Sequence, residues 1–209
     1  MKVLISAPRA GSSYVYEHIE KYNLTLPNVK KIGPEEYLDP NQLPFLTLNE
    51  KIEMLEEGRL LNIEYTFKHH INYLKKDVDY YNTWFKDFYK DHEVLVLKRR
   101  DTWRWFLSFL FQDCVGWNYA AVMKDSVLTE QSIKNKFNNY DYKKTLTQFF
   151  EIKQQIDAVE GNIIFYEDLK YSTSKYCILS SLVNYEEHFN NIDDIKNEFN
   201  TYSRYMETH

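Results

Sequence analysis

Near its amino terminus the chain sets an arginine, a glycine and two serines in one short stretch, Ser6-Ala7-Pro8-Arg9-Ala10-Gly11-Ser12-Ser13-Tyr14. The apolar run Val3-Leu4-Ile5 before it reads as a buried strand, and Val15, Ile19 and Tyr22 after it recur at helical spacing. A strand, a turn with a proline and a glycine, and a helix opening on hydroxyl residues make a cradle of backbone N–H groups suited to a phosphate. The nucleoside-triphosphate loop is spelled G-x-x-x-x-G-K-[ST], with lysine on the phosphates and the hydroxyl on magnesium. Here Ser6 stands at the first glycine, Gly11 matches the second, Ser12 replaces the lysine and Ser13 keeps the hydroxyl. The cation has moved into the turn as Arg9, which suits an anion carried without a metal better than it suits magnesium-bound ATP.

A second group of candidate residues follows Val94-Leu95-Val96-Leu97. That apolar strand runs into Lys98-Arg99-Arg100 and then into Asp101-Thr102-Trp103-Arg104-Trp105-Phe106-Leu107-Ser108. Cations at the carboxyl edge of a parallel sheet stand where open α/β folds bind ligands. Arg100 and Ser108 are eight positions apart, about two helical turns, so one anion would have to lie over the helix start to meet both. A third group is Phe67-Lys68-His69-His70. Histidine is suited to general-base work near neutral pH, although adjacent histidines at a strand end are also common as solvated or structural groups. The aromatic positions Trp103, Trp105, Phe106, Phe109 and Trp117 admit two readings, a wall for a ligand ring or a core stripe, and the stripe is the commoner case.

The elements that must position these residues alternate along the chain. Strand signals fall at residues 2–6, 60–67, 93–98 and 162–166, with a weaker one at 29–32, and helical patterns lie between them. Thr47-Leu48-Asn49-Glu50 is a capping-box spelling for a helix that ends at Gly58. Val78, Tyr81, Phe85 and Phe88 mark another helix. Leu146, Phe149, Phe150 and Ile156 mark a long one, and Ile192, Ile195 and Phe199 a last one. Residues 33–44, with three prolines, and residues 113–136, with little periodicity, read as loops able to shape a substrate mouth. The expected fold class is α/β, a mostly parallel central sheet flanked by helices.

Bulk properties set limits. At 209 residues the chain is the size of one domain, residues 1–209. A formal net charge of −5 argues against nucleic-acid binding as the main role. Cys114 and Cys177 are the two cysteines, far apart and without a C-x-x-C context, so neither a zinc site nor a disulfide framework is implied and a reduced, cytoplasmic setting is expected. No apolar stretch approaches the roughly 18 residues of a membrane span, and no signal peptide is expected at the amino terminus.

These motifs together resemble the sulfotransferases that use 3′-phosphoadenosine 5′-phosphosulfate (PAPS). In that family a Pro-Arg or Pro-Lys, Gly, Ser/Thr, Ser/Thr turn holds the 5′-phosphosulfate, which Pro8-Arg9-Ala10-Gly11-Ser12-Ser13 resembles, with Tyr14 following. A later strand ends in an arginine followed eight residues on by a serine, the pair that binds the 3′-phosphate, and Arg100 and Ser108 match. Cytosolic members end another strand in a lysine, one residue and a catalytic histidine, which Lys68 and His70 match.

The resemblance implies a P-loop-like sulfotransferase architecture, PAPS as donor, PAP as product, and no metal. It implies Arg9, Lys68 and His70 as catalytic residues. His69 beside His70, and the carboxylates Glu64, Glu35 and Glu36, stay open as alternative bases. Tyr166-Glu167-Asp168-Leu169 resembles a tract common in the family and reads as architectural. The glycine-rich basic loop that the cytosolic branch adds near its carboxyl terminus has no counterpart here; Ser203 and Arg204 are a weak substitute. The acceptor class is open among carbohydrate, lipid, peptide and small molecule, and so is the oligomeric state. Two rivals remain: a phosphate-loop kinase using ATP and magnesium, and a nucleotide-binding module without chemistry.

Overall fold

The computed structural model describes residues 2–12, 15, 30–31, 47, 50, 53, 65–70, 93–116, 130–169 and 184–208. It divides into two compact units, one formed by residues 1–98 and 155–169, the other by residues 99–154 and 170–209.

The first unit carries a parallel sheet. Its strands are β1 (Lys2–Ser6), β2 (Lys30–Lys31), β3 (Tyr65–His70), β4 (Glu93–Lys98) and β5 (Asn162–Phe165), in the spatial order β2-β3-β1-β4-β5. Every pairing is parallel. Successive strand residues point to opposite faces. Leu4 and Ile5 on β1, and Val94 through Leu97 on β4, are all buried, so both faces of the central strands are covered. This is why these segments read as continuous apolar runs and not as an alternation. The α/β expectation, with a parallel sheet, matches the architecture.

The strand order has a consequence for ligand binding. After β1 the chain leaves toward β2 and β3, whereas after β4 it leaves toward β5 on the other side. The carboxyl ends of β1 and β4 therefore flank a reversal in strand order, the place where open α/β sheets form a crevice. Register fixes what stands there: Ser6 is level with Leu97 on one side and with His70 on the other.

Two details hold the sheet's edge. A Cβ on Gly161 would stand 2.7 Å from the Val94 carbonyl oxygen and 3.0 Å from side-chain carbons of Val94 and Val96, so β5 can enter beside β4 only through a glycine. Lys98 at the end of β4 donates to the Asp157 carbonyl at 3.3 Å and pairs with its carboxylate at 3.6 Å.

The second unit is helical: α1 (Thr102–Val115), α2 (Glu130–Asn138), α3 (Tyr142–Asp157), whose last turn belongs to the first unit, and α4 (Ile192–Thr208). Asp101 caps α1, its carboxylate accepting from the Arg104 N–H at 2.9 Å, and Gly116 ends it in left-handed backbone with its N–H on the Gln112 carbonyl. The core is aromatic: Phe106 meets Phe149 and Phe199 with ring centroids 5.3 Å apart in each case, and Trp105 meets Phe149 edge-on at 4.8 Å. Trp105, Phe106 and Phe109 are thus core residues and not a ligand wall. Trp103 is half-buried, its indole N–H donating to Glu186 at 2.8 Å under the Lys196 ammonium.

Three expectations shift. β3 runs to His70, three residues past its expected end, so Lys68-His69-His70 are strand residues. β5 stops at Phe165, and Tyr166–Asp168 form a 3₁₀ turn. Residues 113–136 are not one loop: Asp113 through Val115 finish α1, and α2 begins at Glu130 with Ile133 and Phe137 buried on one face. The capping box is realised: the Thr47 hydroxyl accepts from the Glu50 N–H at 3.2 Å while Glu50 accepts from the Thr47 N–H at 2.6 Å. The Thr47 N–H and hydroxyl, both donating to its carboxylate, hold the Glu50 carboxyl below its ordinary value. The expected segments at 33–44 and 78–88, and Ile19, Tyr22, Gly58 and Trp117, lie outside the described residues.

Candidate functional site

The turn after β1 is built from backbone geometry that few residues tolerate. The Ala10 N–H donates to the Ala7 carbonyl at 3.2 Å, closing a four-residue turn with Pro8 second and Arg9 third. Arg9 has φ 62°, and a proline followed by a residue of positive φ defines a type II turn, whose third position normally takes glycine. An L-residue there is strained by about 1–2 kcal/mol. Gly11 is also left-handed, with φ 95°. Its carbonyl accepts from the Val15 N–H at 3.2 Å, so the backbone passes directly into a helical turn at Ser12, which is buried. Left-handed residues among successive N–H groups form a concave, donor-lined path of the kind that receives anions.

Tyr166 closes the other side of this turn. A Cβ on Gly11 would fall on the Cδ2 and Cε2 atoms of the buried Tyr166 ring. Position 11 therefore needs glycine twice over, for its φ and for its lack of a side chain. The architectural reading of Tyr166 acquires a specific contact here.

The basic cluster separates into three roles. Lys98 is tied to the carboxyl end of α3, where a cation complements the partial negative charge of the last carbonyls. Arg99 is buried. Arg100 is exposed, two residues beyond β4, and its carbonyl accepts from the Thr102 N–H at 2.9 Å. Ser108 lies in the interior of the helical unit, and its hydroxyl accepts from the buried Tyr185 phenol at 3.3 Å. Arg100 and Ser108 thus occupy contrasting environments, surface and core, about 9 Å of helix axis from the first turn of α1 to the serine.

Lys68 and His70 enter through the strand register. Lys68 is level with Leu4, His69 with Ile5 and His70 with Ser6. His70 thereby stands at the carboxyl edge of the sheet, one strand away from the last residue before the turn. Ser13, Tyr14, Glu35, Glu36 and Glu64 lie outside the described residues. Ser203 is partly buried and Arg204 exposed on the last turns of α4.

Sequence reasoning passed over Ser6 as more than a substitute for glycine. Ser6 is fully buried, and its hydroxyl has no hydrogen-bond partner among the described residues. A polar residue closing an otherwise apolar strand was the available signal.

Among the described residues no group of three or more His, Cys, Asp or Glu side chains converges as a metal site, and no helix is long and apolar enough to cross a membrane. Comparison with protein-family models, with curated proteins and with solved structures finds no match to this chain.

Proposed function

We propose that the chain is a sulfotransferase of P-loop-like architecture, functioning as a single domain over residues 1–209 in the cytoplasm, that moves the sulfuryl group of PAPS to a hydroxyl or amine acceptor. The observation that carries this reading is the turn at the end of the central strand, where Arg9 and Gly11 are both left-handed, Ser12 opens a helical turn and no lysine follows Gly11. Such a turn fits a phosphate group held without magnesium.

When bound, PAPS supplies the activated sulfuryl group and leaves as PAP. The chain's residues bind, orient and balance charge, since transfer of this type rests on positioning and electrostatics. The segment from Pro8 to Tyr14 is assigned to the 5′-phosphate through the Arg9 guanidinium, the N–H groups of Arg9 and of Gly11 to Tyr14, and the hydroxyls of Ser12 and Ser13, Pro8 having no N–H and the Ala10 N–H being held by the Ala7 carbonyl. Lys68 is assigned to charge on the sulfuryl oxygens, and His70 takes the proton of the acceptor. Arg100 is assigned to the 3′-phosphate. Ser108 joins it by spacing, and its engagement with Tyr185 leaves Arg100 the larger share.

The reading is tested by following PAP release from PAPS with carbohydrate, phenol, lipid-alcohol, amine and tyrosine-peptide acceptors, with and without EDTA. Acceptor-dependent PAP release that EDTA leaves unchanged is expected. ATP hydrolysis or phosphoryl transfer requiring magnesium, with PAPS untouched, would overturn it.

A further inference from the structure

The turn after β1 holds two left-handed residues, Arg9 at φ 62° and Gly11 at φ 95°. The arginine is strained there, and a glycine moves out of that region as readily as into it. Such backbone persists where its surroundings over-determine it, and it clusters at ligand clamps and switch regions. Within the turn, the Ala10 N–H on the Ala7 carbonyl and the Val15 N–H on the Gly11 carbonyl belong to one short segment and form and break with it. Tyr166 comes from outside that segment. Ser6, Leu97 and Ile164 are level across β1, β4 and β5, so the turn after β1 and the 3₁₀ turn after β5 leave the same edge of the sheet with β4 between them. The Tyr166 ring is buried, and its Cδ2 and Cε2 atoms stand where a side chain on residue 11 would begin. A close-packed ring on that side of Gly11 leaves the adjoining peptide groups little room to rotate.

We propose that Tyr166 is a positioning residue of the anion turn, its ring holding Gly11, and with it the strained Arg9, in the left-handed pair before any anion arrives. The inference rests on the turn after β1 as the phosphate site of the proposed function. A preformed donor path spares the ligand the cost of ordering it. When only a fraction of the chains holds the binding conformation, apparent affinity falls by that fraction. The loss on removing the ring is therefore the same for every anion that uses the turn, whether a nucleotide or inorganic pyrophosphate. A tyrosine that touched the nucleoside part of the ligand would affect PAP and leave pyrophosphate alone.

The experiment compares the full chain with Tyr166→Phe, Tyr166→Leu and Tyr166→Ala, the leucine variant serving where alanine fails to fold. Amide hydrogen exchange without ligand is read at Ala10 and Val15, whose N–H groups report the turn, against Leu4 and Val96 on strands paired on both sides. Calorimetry then gives the affinities for PAP and for inorganic pyrophosphate. Tyr166→Phe is expected to change nothing, because the ring is kept. Tyr166→Leu and Tyr166→Ala are expected to lose about tenfold in protection at Ala10 and Val15 beyond any change at Leu4 and Val96, and to weaken PAP and pyrophosphate by that same factor. Turn amides as protected as before in a folded leucine variant would overturn the proposal, and so would equal losses at all four amides, which make the ring ordinary packing. PAP weakened with pyrophosphate unchanged, or Tyr166→Phe as damaging as Tyr166→Leu, would also overturn it and give the side chain to the nucleotide. A natural chain that binds neither anion would remove the site and the proposal with it. If exchange and affinity fall together while PAPS is never consumed, the positioning role stands and the sulfotransferase reading falls.

Discussion

The ring of Tyr166 occupies the space that a Cβ at position 11 would need, joining the turn after the first strand to the turn after the last. Gly11→Ala meets two penalties, about 1–2 kcal/mol for left-handed backbone and about 1–3 kcal/mol for overpacking against the ring. Tyr166→Ala removes the second and leaves the first. Denaturant unfolding of both single variants and the double variant is therefore expected to show coupling, with the Gly11→Ala cost reduced when Tyr166 is absent. Strictly additive costs would contradict the contact.

Arg9 holds a conformation that glycine adopts more easily. Arg9→Gly relieves about 1–2 kcal/mol of left-handed strain and gives back about 0.5–1 kcal/mol in chain entropy. Stability is expected to stay level or rise by up to about 1.5 kcal/mol, while PAP affinity drops tenfold or more through loss of the cation. A destabilised variant that binds PAP normally would place the arginine in the fold and not in the site.

The basic cluster offers an internal contrast. Lys98→Ala is expected to cost about 0.3–1 kcal/mol of stability through the end of α3, with no discrimination between nucleotides. Arg100→Ala is expected to leave stability within about 0.5 kcal/mol, because the side chain is exposed. It should weaken PAP roughly tenfold to a hundredfold while barely changing binding of nucleotides without a 3′-phosphate. Equal loss for both kinds of nucleotide would remove Arg100 from the 3′-phosphate.

Cys114 supplies a pH-dependent check on the helical unit. Burial pushes its thiol up to about 11, with Asp113 adding to the rise and Lys136 opposing it. Thiolate is the reactive form, so in a Cys177→Ser background alkylation at pH 8 is expected to be roughly a hundredfold slower than for an unperturbed thiol, and to climb until about pH 11. A rate like that of a free cysteine would show this helix end to be open to water.

What could be read from the chain depended on how local each determinant is. β1 and β4 were legible because β-branched and leucine residues run unbroken between turn residues and charges. β3 extends through Lys68-His69-His70 because pairing with β1 carries the strand on where polarity alone suggests an end. α2 was hidden in a polar segment whose helical signal is one pair, Ile133 and Phe137. The donor-lined turn was legible in Pro8, Gly11 and the serines, but proline at the second position of a type II turn predicts glycine, not arginine, at the third. That Lys98 serves α3, that Ser108 meets Tyr185 and that Tyr166 packs on Gly11 are contacts between distant segments, and no local pattern encodes them.

The most direct test of the account is calorimetric titration of the purified chain with PAP, run beside ADP and beside ATP with magnesium. The account predicts PAP binding that EDTA does not change and that exceeds ADP binding by tenfold or more. Preference for ATP with magnesium would contradict it and make the turn after β1 the phosphate site of a kinase.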